Sequence, residues 1–391
     1  MINLGILLEG STSGGGIYQY NLSILNALKS LNTSEYQITV FYFKKDWVSL
    51  IPGGFKKVKV YQFKFLRGLG RAYNLIDRTE FGFKRFSWFF NPAVLKMNIS
   101  NCDLIIFPSQ DVLSYKINKR SLTTIHDLMH RYEPQFIEYQ DGEYDRREKH
   151  FKLISKYASG ILVDSNVGKD HVKESYLVSQ EKIFVLPFVP PEYLYKTKQI
   201  DVFLKYNIPK KYIFYPAQFW EHKNHLNLLK AMKIIIDRGY DINLVLVGSI
   251  QNNYNYILHK IKDLKLIDRV FILGYVSDDD MASLYRNAVM TTFVSFLGPT
   301  NIPVIESLTL SCPLICSNVY GMPDQVGEAA LLIDPKSPVD IASKIQLLLD
   351  DEPLRLTLTR KGLEIIKNYG QQEFNLILKK IIQKVINSQN S

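Results

Sequence analysis

The sequence predicts an α/β protein in which two Rossmann-like parallel-sheet domains face a central cleft. Its 391 residues exceed what one hydrophobic core usually serves. Strand-like apolar runs are followed repeatedly by helix-length amphipathic stretches, and this alternation builds a parallel sheet that is covered on both faces. An apolar fraction of 46% with 22% charged residues is typical of a globular protein and excludes a disordered chain.

The first half of the chain alternates strands and helices from its start. A strand at Ile2–Leu8 is followed by a glycine turn and by a stretch at 17–31 whose apolar positions recur at helical spacing. Further strand-like runs lie at 37–43, 103–107, 121–125 and 160–163. These elements predict the first sheet domain.

A proline cluster at 185–191 ends this half, because proline interrupts both helices and sheets. A second alternating set follows it. Its strands are predicted at 212–215, 243–247, 270–273, 290–294, 314–317 and 330–333, and its helices at 226–238, 254–264 and 278–287. These elements predict the second sheet domain.

The domain boundaries follow from these two sets. We place an N-terminal domain at 1–188, a linker at 189–202 and a second domain at 203–368. The remaining segment, 369–391, contains an amphipathic helix that we expect to pack back toward the N-terminal domain.

Cysteine usage and hydropathy predict the compartment. Cys102, Cys312 and Cys316 form no disulfide framework, and no further Cys/His pair lies at zinc spacing. The N-terminal apolar run lacks the basic flank and cleavage site of a signal peptide, and no stretch approaches the ~18 consecutive apolar residues that a membrane span needs. We therefore expect a cytoplasmic protein, with any membrane contact peripheral.

The formal charge of +10 is concentrated between residues 55 and 96, where ten Lys or Arg lie among eleven aromatic residues and only two acids. The ordinary interpretation is solvated lysines around core aromatics. The aromatic density also suits a surface that rests on anionic headgroups at the inner face of the plasma membrane. We expect no nucleic-acid partner, because the surplus of positive charge is confined to one region and no recognised nucleic-acid module is present.

Two motifs of the first half follow strands, where open α/β sheets bind their ligands. Gly14, Gly15 and Gly16 allow close backbone approach, and the helix behind them offers N–H groups to a phosphate; a flexible turn is the alternative. At the end of a buried strand, the His126 imidazole is suited to bind a hydroxyl or stabilise charge, and the Asp127 carboxylate to fix the loop. A loop histidine followed by a helix N-cap has the same pattern.

The second half has a polar loop after its first strand. Lys223 supplies a flexible positive charge for a diphosphate, and Gln218 supplies neutral donors on the same loop. His222 and His225 bracket Lys223, but further metal ligands are lacking nearby, so we expect no metal site.

The segment from Gly298 to Glu306 predicts a helix start. Pro303 suits the first turn, so the loop at 299–302, which includes Asn301 and Ile302, is expected to present backbone N–H groups to a phosphate. Glu306 then lies one turn in, placed to accept both hydroxyls of a ribose. Alternatively, Glu306 only complements the helix dipole.

Together these residues resemble the family 4 retaining glycosyltransferases of the GT-B fold, over nearly the whole chain. The matching motifs are Gly14-Gly15-Gly16, Ile125-His126-Asp127, Pro216 to His225, Leu246-Val247-Gly248, Gly274-Tyr275-Val276 and Gly298 to Pro313. The chain is similar to a bacterial subgroup associated with surface polysaccharide assembly, in which Gly-Pro-Thr-Asn replaces the usual Glu-Gly-Phe-Gly.

The resemblance implies transfer of a sugar from a nucleotide diphosphate sugar to an acceptor hydroxyl, with retention at the anomeric carbon and without a metal or other cofactor. The acceptor would be a saccharide, or a polyprenyl-linked saccharide of O-antigen or capsule. The first domain would serve the acceptor and the second domain the donor.

The resemblance also assigns roles to single residues. Glu306 would hold the ribose, and the backbone of Gly274, Tyr275 and Val276 would hold the base. His126, Asp127 and Lys223 would take part in catalysis, with His126 near the transferred sugar. The groups around the diphosphate would be Lys223, Gln218, the backbone of Asn301, Ile302 and Pro303, and the loop of Gly15 and Gly16.

Two positions depart from the family pattern. Gln218 stands where the family has an arginine, and Gly298 stands where it has the first of two glutamates. Alternative functions are therefore a nucleotide-sugar epimerase or a sugar phosphorylase on the same architecture, or a non-catalytic nucleotide-sugar binder at a membrane.

Overall fold

Alternating strands and helices form two units in the computed structural model of this protein, which describes residues 1–10, 15–61, 91–196 and 198–388. Unit 1 comprises 1–128, 145–187 and 371–391, and unit 2 comprises 129–144 and 188–370. Each unit is built on a parallel sheet flanked by helices. The predicted fold class of two Rossmann-like α/β domains is confirmed, whereas the cleft between them stays a prediction.

Seven parallel strands form the sheet of unit 1. They are β1 (Ile2–Leu8), β2 (Tyr36–Tyr42), β3 (Lys56–Lys59), β4 (Leu104–Phe107), β5 (Arg120–Thr124), β6 (Gly160–Val163) and β7 (Ile183–Val185). Their order is β3-β2-β1-β4-β5-β6-β7. Both β4 and β6 are wholly buried apolar runs, as expected for strands covered on both faces.

Six parallel strands form the sheet of unit 2. They are β8 (Tyr212–Pro216), β9 (Asn243–Val247), β10 (Val270–Gly274), β11 (Met290–Phe293), β12 (Leu314–Ser317) and β13 (Ala330–Ile333). The order β10-β9-β8-β11-β12-β13 is that of a dinucleotide-binding sheet. The strand order reverses between β8 and β11, so ligand-binding loops are expected at the carboxyl ends of these two strands.

Helices connect the strands. In chain order they are α1 (Gly16–Lys29), α2 (Pro92–Asn98), α3 (Met129–Tyr132), α4 (Glu143–Tyr157), α5 (Asn166–Tyr176), α6 (Tyr193–Lys196), α7 (Val202–Tyr206), α8 (His225–Asp237), α9 (Tyr254–Asp263), α10 (Asp278–Asn287), α11 (Ile302–Thr309), α12 (Met322–Val326), α13 (Pro338–Asp350), α14 (Glu352–Ile366) and α15 (Gln371–Asn387). None of them, within the described residues, is long and apolar enough to cross a bilayer.

The C-terminal helix α15 lies in unit 1, where it packs against α1. The Gln371 side-chain amide donates to the Ser23 carbonyl at 3.0 Å, and the Arg120 guanidinium donates to the Ile386 carbonyl at 2.8 Å. The helix Gln371–Asn387 therefore belongs to the first sheet unit.

Unit 2 includes the predicted linker, 189–202, and one segment of the predicted first domain. Residues 129–144 lie within the predicted first domain but group with unit 2. Their apolar side chains, Met129, Phe136 and Tyr139, share a buried cluster with Leu297. A long-range contact of this kind leaves no local pattern in the sequence.

One glycine of unit 2 is required by a close backbone approach. A Cβ atom at Gly248, which follows β9, would lie 2.3 Å from the Ala217 carbonyl oxygen. The chain that leaves β8 therefore passes directly over residue 248, and only glycine fits there.

Candidate functional site

The loop after β8 carries Lys223, and buried hydrogen bonds hold it in place. Lys223 ends a 3₁₀ turn at Glu221–Lys223, and the next residue, Asn224, is in the left-handed conformation with φ of 61°. The buried Asn224 side chain donates to the Val294 carbonyl at 2.9 Å and to the Pro335 carbonyl at 2.7 Å. Asn224 thus ties the loop to the end of β11, beside the point where the strand order reverses.

The Lys223 ammonium group lies over an aromatic ring of the same sheet. Its Nζ is 5.3 Å from the centre of the Phe293 ring, which ends β11. The Tyr215 hydroxyl donates to the Lys223 carbonyl. Lys223 is therefore placed at the carboxyl edge of the sheet, where the sequence predicts a diphosphate site.

Gln218 is exposed at the start of the same loop, and its side chain is oriented. Trp220 Nε1–H donates to Gln218 Oε1 at 2.9 Å. Because an indole N–H is only a donor, the amide oxygen of Gln218 must face Trp220. The NH₂ group is then the end that can turn toward a ligand, and it suits an anion.

The segment after β11 is joined to the Lys223 loop. Phe296 N–H donates to the His222 carbonyl at 2.9 Å. Gly298 has φ of +132°, and a Cβ atom there would lie 2.4 Å from Asn301 Nδ2. Glycine is therefore favoured at residue 298 by its backbone conformation and by the Asn301 amide beside it.

The backbone of Asn301 is engaged by another side chain. Asn301 N–H donates to Gln325 Oε1 at 3.0 Å, and Gln325 Nε2 donates to the Asn301 carbonyl at 2.9 Å. Pro303 has no N–H. Asn301 N–H is therefore not offered to a phosphate in this structure, which corrects that prediction. The donor role of Ile302 N–H, at the first residue of α11, and the place of the Pro303 backbone near the diphosphate stay predictions.

Glu306 is buried in α11 and held by two tyrosines. It is the fifth residue of the helix and so lies one turn in, as the sequence predicts. The Tyr193 hydroxyl donates to Oε1 at 2.7 Å, and the Tyr285 hydroxyl donates to Oε2 at 2.8 Å. Burial raises the pKa of Glu306, and the two tyrosine hydrogen bonds oppose this shift.

Each carboxylate oxygen can accept more than one hydrogen bond. Glu306, already bonded to two tyrosines, can therefore still accept hydrogen bonds from the predicted ribose hydroxyls. Sequence analysis did not identify Tyr193 or Tyr285. They come from α6 and α10, far from Glu306 in the chain, and nothing in their local pattern distinguishes them from core tyrosines.

The loop after β10 contains the three residues predicted to hold a base. Gly274 ends the strand with φ of +70°, and its carbonyl accepts from Gly248 N–H at 2.9 Å. Tyr275 is 63% exposed, whereas Val276 is buried in the core. The loop therefore offers an accessible aromatic ring at the same edge of the sheet, and base binding there stays a prediction.

In unit 1, Gly15 and Gly16 begin α1. Gly15 has φ of 92° and caps the helix without a side-chain hydrogen bond. Gly14 lies outside the described residues. The helix begins where the sequence predicts, and the contact of this loop with a phosphate stays a prediction.

His126 follows β5 and serves a structural contact in unit 1. Its Nε2–H donates to the Pro108 carbonyl at 3.0 Å, and its ring packs edge-on against Tyr20 at 5.1 Å. Burial lowers the pKa of His126 to about 4, so the ring is neutral at physiological pH. His126 thus positions the loop after β4, and its contact with a sugar stays a prediction.

Asp127 pairs with a cation of α4. Arg147 Nη1 lies 3.5 Å from Asp127 Oδ1, and both side chains are about one-third exposed, at 28% and 30%. A catalytic role for Asp127 stays a prediction, while its pairing with Arg147 gives it a structural role in the loop.

Glu138 is a further carboxylate, with a side chain only 9% exposed, that contacts the residue before Lys223. Its Oε1 accepts from His222 Nδ1–H at 2.9 Å and from His222 N–H at 3.3 Å. Burial raises the pKa of Glu138, but hydrogen bonds from the His222 ring, from its own backbone and from the His222 backbone together hold the pKa below its usual value. Sequence analysis missed Glu138 because residue 138 lies 84 positions before His222.

The metal prediction concerns His222 and His225. His222 pairs with Glu138, and His225 is fully buried with its ring stacked on Phe219 at 4.5 Å. Across the described part of the chain, no three His, Cys, Asp or Glu side chains are grouped so that they could hold a metal ion.

Known proteins resemble this chain in sequence. Residues 196–364 match the family model described as glycosyl transferases group 1. The O-antigen chain mannosyltransferase RfbU of Salmonella typhimurium is 25% identical over 339 residues, which are 83% of this chain and 84% of that protein. The O-antigen chain mannosyltransferase B of Escherichia coli is 25% identical over 257 residues, or 64% of this chain and 67% of that protein.

Solved structures share the fold over the whole chain. Sucrose-phosphate synthase from Thermosynechococcus elongatus has a TM-score of 0.74 at 17% identity, with 100% of both chains covered. HepE from Anabaena, in complex with UDP and glucose, has a TM-score of 0.73 at 15% identity, with 98% of this chain and 100% of that chain covered. WaaG, a glycosyltransferase involved in lipopolysaccharide biosynthesis, has a TM-score of 0.70 at 14% identity, with 97% and 99% covered. These likenesses place the chain in the GT-B fold.

Proposed function

We propose, on the premise that residues 196–364 are a group 1 glycosyl transferase region, that this chain is a glycosyltransferase of bacterial surface polysaccharide synthesis. It moves a sugar from a nucleotide diphosphate sugar to an acceptor hydroxyl. The observation that carries this proposal is that Lys223, Gln218 and Glu306 lie in one unit. They lie on elements that follow β8 and β11, the two strands between which the strand order of the sheet reverses.

The main chemical task is to stabilise the departing diphosphate. Negative charge grows on the β-phosphate as the bond to the sugar breaks, and fixed donors that are already oriented lower the energy of that state. The Lys223 ammonium supplies the positive charge, and the Gln218 NH₂ group, held outward by Trp220, supplies a neutral donor. The nucleotide is then held through Glu306 at the ribose and through residues 274–276 at the base.

We propose that transfer retains the anomeric configuration, with the donor phosphate taking the acceptor proton, and that it needs no metal. These points follow from the family resemblance and from a cationic Lys223 at the diphosphate. Determination of the anomeric linkage in the product by NMR tests retention, and full activity in excess EDTA tests metal independence.

We propose that unit 1 serves the acceptor, a saccharide or a polyprenyl-linked saccharide. The roles of Gly15 and Gly16 at a phosphate and of His126 at the transferred sugar remain proposals from the family resemblance. The basic aromatic region 55–96 is proposed to rest on anionic headgroups at the inner face of the membrane, although residues 62–90 lie outside the described residues. Binding to anionic vesicles that weakens with salt tests this surface, and equal binding to neutral vesicles at any salt contradicts it.

A panel of UDP-, GDP- and dTDP-sugars, screened by thermal stabilisation of the purified chain, tests donor binding. GDP-mannose is the first to try, because two relatives are named mannosyltransferases. Release of sugar phosphate with inorganic phosphate identifies a phosphorylase instead, and a converted but untransferred sugar identifies an epimerase. Binding without hydrolysis or transfer to any lipid-linked acceptor identifies a non-catalytic binder.

A further inference from the structure

Glu138 reaches the Lys223 loop from a distant part of the sequence. It lies on a 3₁₀ turn at Ile137–Tyr139, within the segment 129–144 that belongs to unit 2. One carboxylate oxygen, Oε1, accepts both hydrogen bonds from His222, the residue before Lys223. A second tie runs the other way, since Glu221 Oε2 accepts from Ile137 N–H at 3.3 Å.

The residues that flank Glu138 pack against the segment that leads to Gly298. The Phe136 ring stacks on Phe296 with centroids 5.7 Å apart, and Phe136 and Tyr139 share a buried cluster with Leu297. Glu138 is therefore fixed between two neighbours. One is the loop that ends in Lys223, and the other is the segment that ends in Gly298.

Residue 298 itself supplies no carboxylate. The family pattern has a glutamate there, but the space beside Gly298 holds the Asn301 amide, and the φ of +132° disfavours any side chain. A carboxylate at this edge of the sheet therefore has to come from another residue.

Glu138 has an unused acceptor. Its side chain is only 9% exposed, and Oε2 accepts no hydrogen bond of normal geometry from the described part of the chain. A buried carboxylate oxygen without a donor costs free energy, so such an atom points to a ligand that completes it. Hydrogen bonds from His222 keep the carboxyl ionised at neutral pH, and the missing partner is therefore a donor.

We propose that Glu138 is a donor-sugar residue: Oε1 holds the Lys223 loop through His222, and Oε2 accepts a hydrogen bond from a hydroxyl of the sugar that is transferred. The carboxylate expected at residue 298 is thus supplied by residue 138. This inference rests on the proposed glycosyltransferase function. It names a residue that contacts the sugar of the donor and not its nucleotide.

The test compares nucleotide with nucleotide sugar. Isothermal titration calorimetry of the full chain measures Kd for GDP, GDP-mannose, UDP and UDP-glucose, with wild type and Glu138→Gln. For the pair that the wild type binds, Glu138→Gln is expected to raise the Kd of the nucleotide sugar about tenfold or more. The Kd of the free nucleotide is expected to change less than twofold, because only the sugar loses a charge-assisted hydrogen bond.

Glu133→Gln is the matched control. Glu133 lies on the same segment and ties it to unit 2 through the Tyr320 hydroxyl at 2.6 Å, while its other oxygen accepts from Gln135 Nε2 at 2.5 Å. Each of its carboxylate oxygens thus already accepts a hydrogen bond within the protein. Glu133→Gln is expected to change the Kd of the nucleotide and the Kd of the nucleotide sugar by the same factor.

Deoxy donors identify the hydroxyl. Among the 2-, 3-, 4- and 6-deoxy forms of the bound sugar, one is expected to bind wild type and Glu138→Gln equally. Three results overturn the role of Glu138 and leave the proposed function standing. Glu138→Gln weakens the binding of nucleotide and nucleotide sugar equally, or it weakens the binding of neither. In the third, the difference in Kd between wild type and Glu138→Gln persists with every deoxy donor. A wild type that binds neither nucleotide nor nucleotide sugar overturns both.

Discussion

Trp220 Nε1–H donates to Gln218 Oε1 over 2.9 Å, and this bond determines which end of the Gln218 amide faces outward. The family resemblance expects an arginine at residue 218. A glutamine held with its NH₂ group outward keeps a donor for the diphosphate but gives up the charge, so Lys223 is the main positive charge of the loop.

Trp220→Phe is expected to raise the KM for the nucleotide sugar several-fold with a smaller change in kcat. The phenyl ring keeps most of the apolar contact but no N–H, so the Gln218 amide turns freely and presents its oxygen to the diphosphate part of the time. Steady-state kinetics measure the effect. If Gln218→Ala in the Trp220→Phe background costs as much as it does in the wild type, the two residues do not act together.

Gly298→Ala is expected to destabilise the protein by about 1–3 kcal/mol, because it forces a side chain into a left-handed conformation and against Asn301. The midpoint of urea unfolding measures it. Gly54→Ala is the matched control, since a Cβ atom at Gly54 meets nothing within 4 Å. Adding Asn301→Ala should recover the steric part of the loss, and a Gly298→Ala variant as stable as the control would contradict the strained geometry.

Glu306→Gln is expected to abolish the preference for a ribonucleotide over its 2′-deoxy form. The wild type should bind GDP or UDP more tightly than the 2′-deoxy form of the same nucleotide, because a buried carboxylate accepts from the ribose hydroxyl. Calorimetry on both nucleotides measures the ratio. Should Glu306→Gln discriminate as strongly as wild type, Glu306 serves only Tyr193 and Tyr285.

The stability of unit 1 is expected to fall in mild acid. Burial lowers the pKa of His150 to about 4, whereas an unfolded histidine titrates near 6.5. Between these values the unfolded chain binds a proton that the folded chain excludes, so stability is lost as pH falls from about 6.5 to about 4. The loss from this histidine is about 3 kcal/mol.

His150→Gln should remove the His150 part of that pH dependence, because Gln keeps a donor for the Gln110 carbonyl but does not titrate. The buried His126, whose pKa is also lowered to about 4, still contributes its own part. Urea unfolding at a series of pH values, followed by tryptophan fluorescence, to which the buried Trp47 of unit 1 contributes, measures it. His259→Gln, at a histidine whose side chain is 72% exposed, is the control and should leave the profile unchanged. An unaltered profile in His150→Gln would assign the acid sensitivity to other groups.

Much of the fold is predictable because local patterns and the final elements coincide. The strands β1, β6, β9, β12 and β13 have the predicted bounds, since each is a short apolar run between turn residues. The edge strands β3 and β7 were not predicted. The first reads Lys-Lys-Val-Lys and the second has three residues, so neither shows a buried-strand pattern.

The candidate site is predictable only where it is local. Lys223 and Gln218 share one loop, and their loop was identified from its residues and the strand before it. Tyr193, Tyr285 and Glu138 reach the site from separate elements, and only tertiary packing brings them there. The structure also shows that the Asn301 backbone is bound by Gln325, a pairing that spans 24 positions.

Sugar transfer itself is the most direct test of the proposed function. The full chain is incubated with labelled GDP-mannose, UDP-glucose or dTDP-rhamnose and a lipid extract that contains polyprenyl-linked saccharides. The expected result is labelled acceptor formed with an equal amount of released nucleoside diphosphate, reduced by a factor that corresponds to about 2 kcal/mol or more in Lys223→Ala. Lys233→Ala, at a surface lysine paired with Asp237, should keep the wild-type rate. A wild-type rate in Lys223→Ala, or no transfer from any nucleotide sugar, would contradict the proposal.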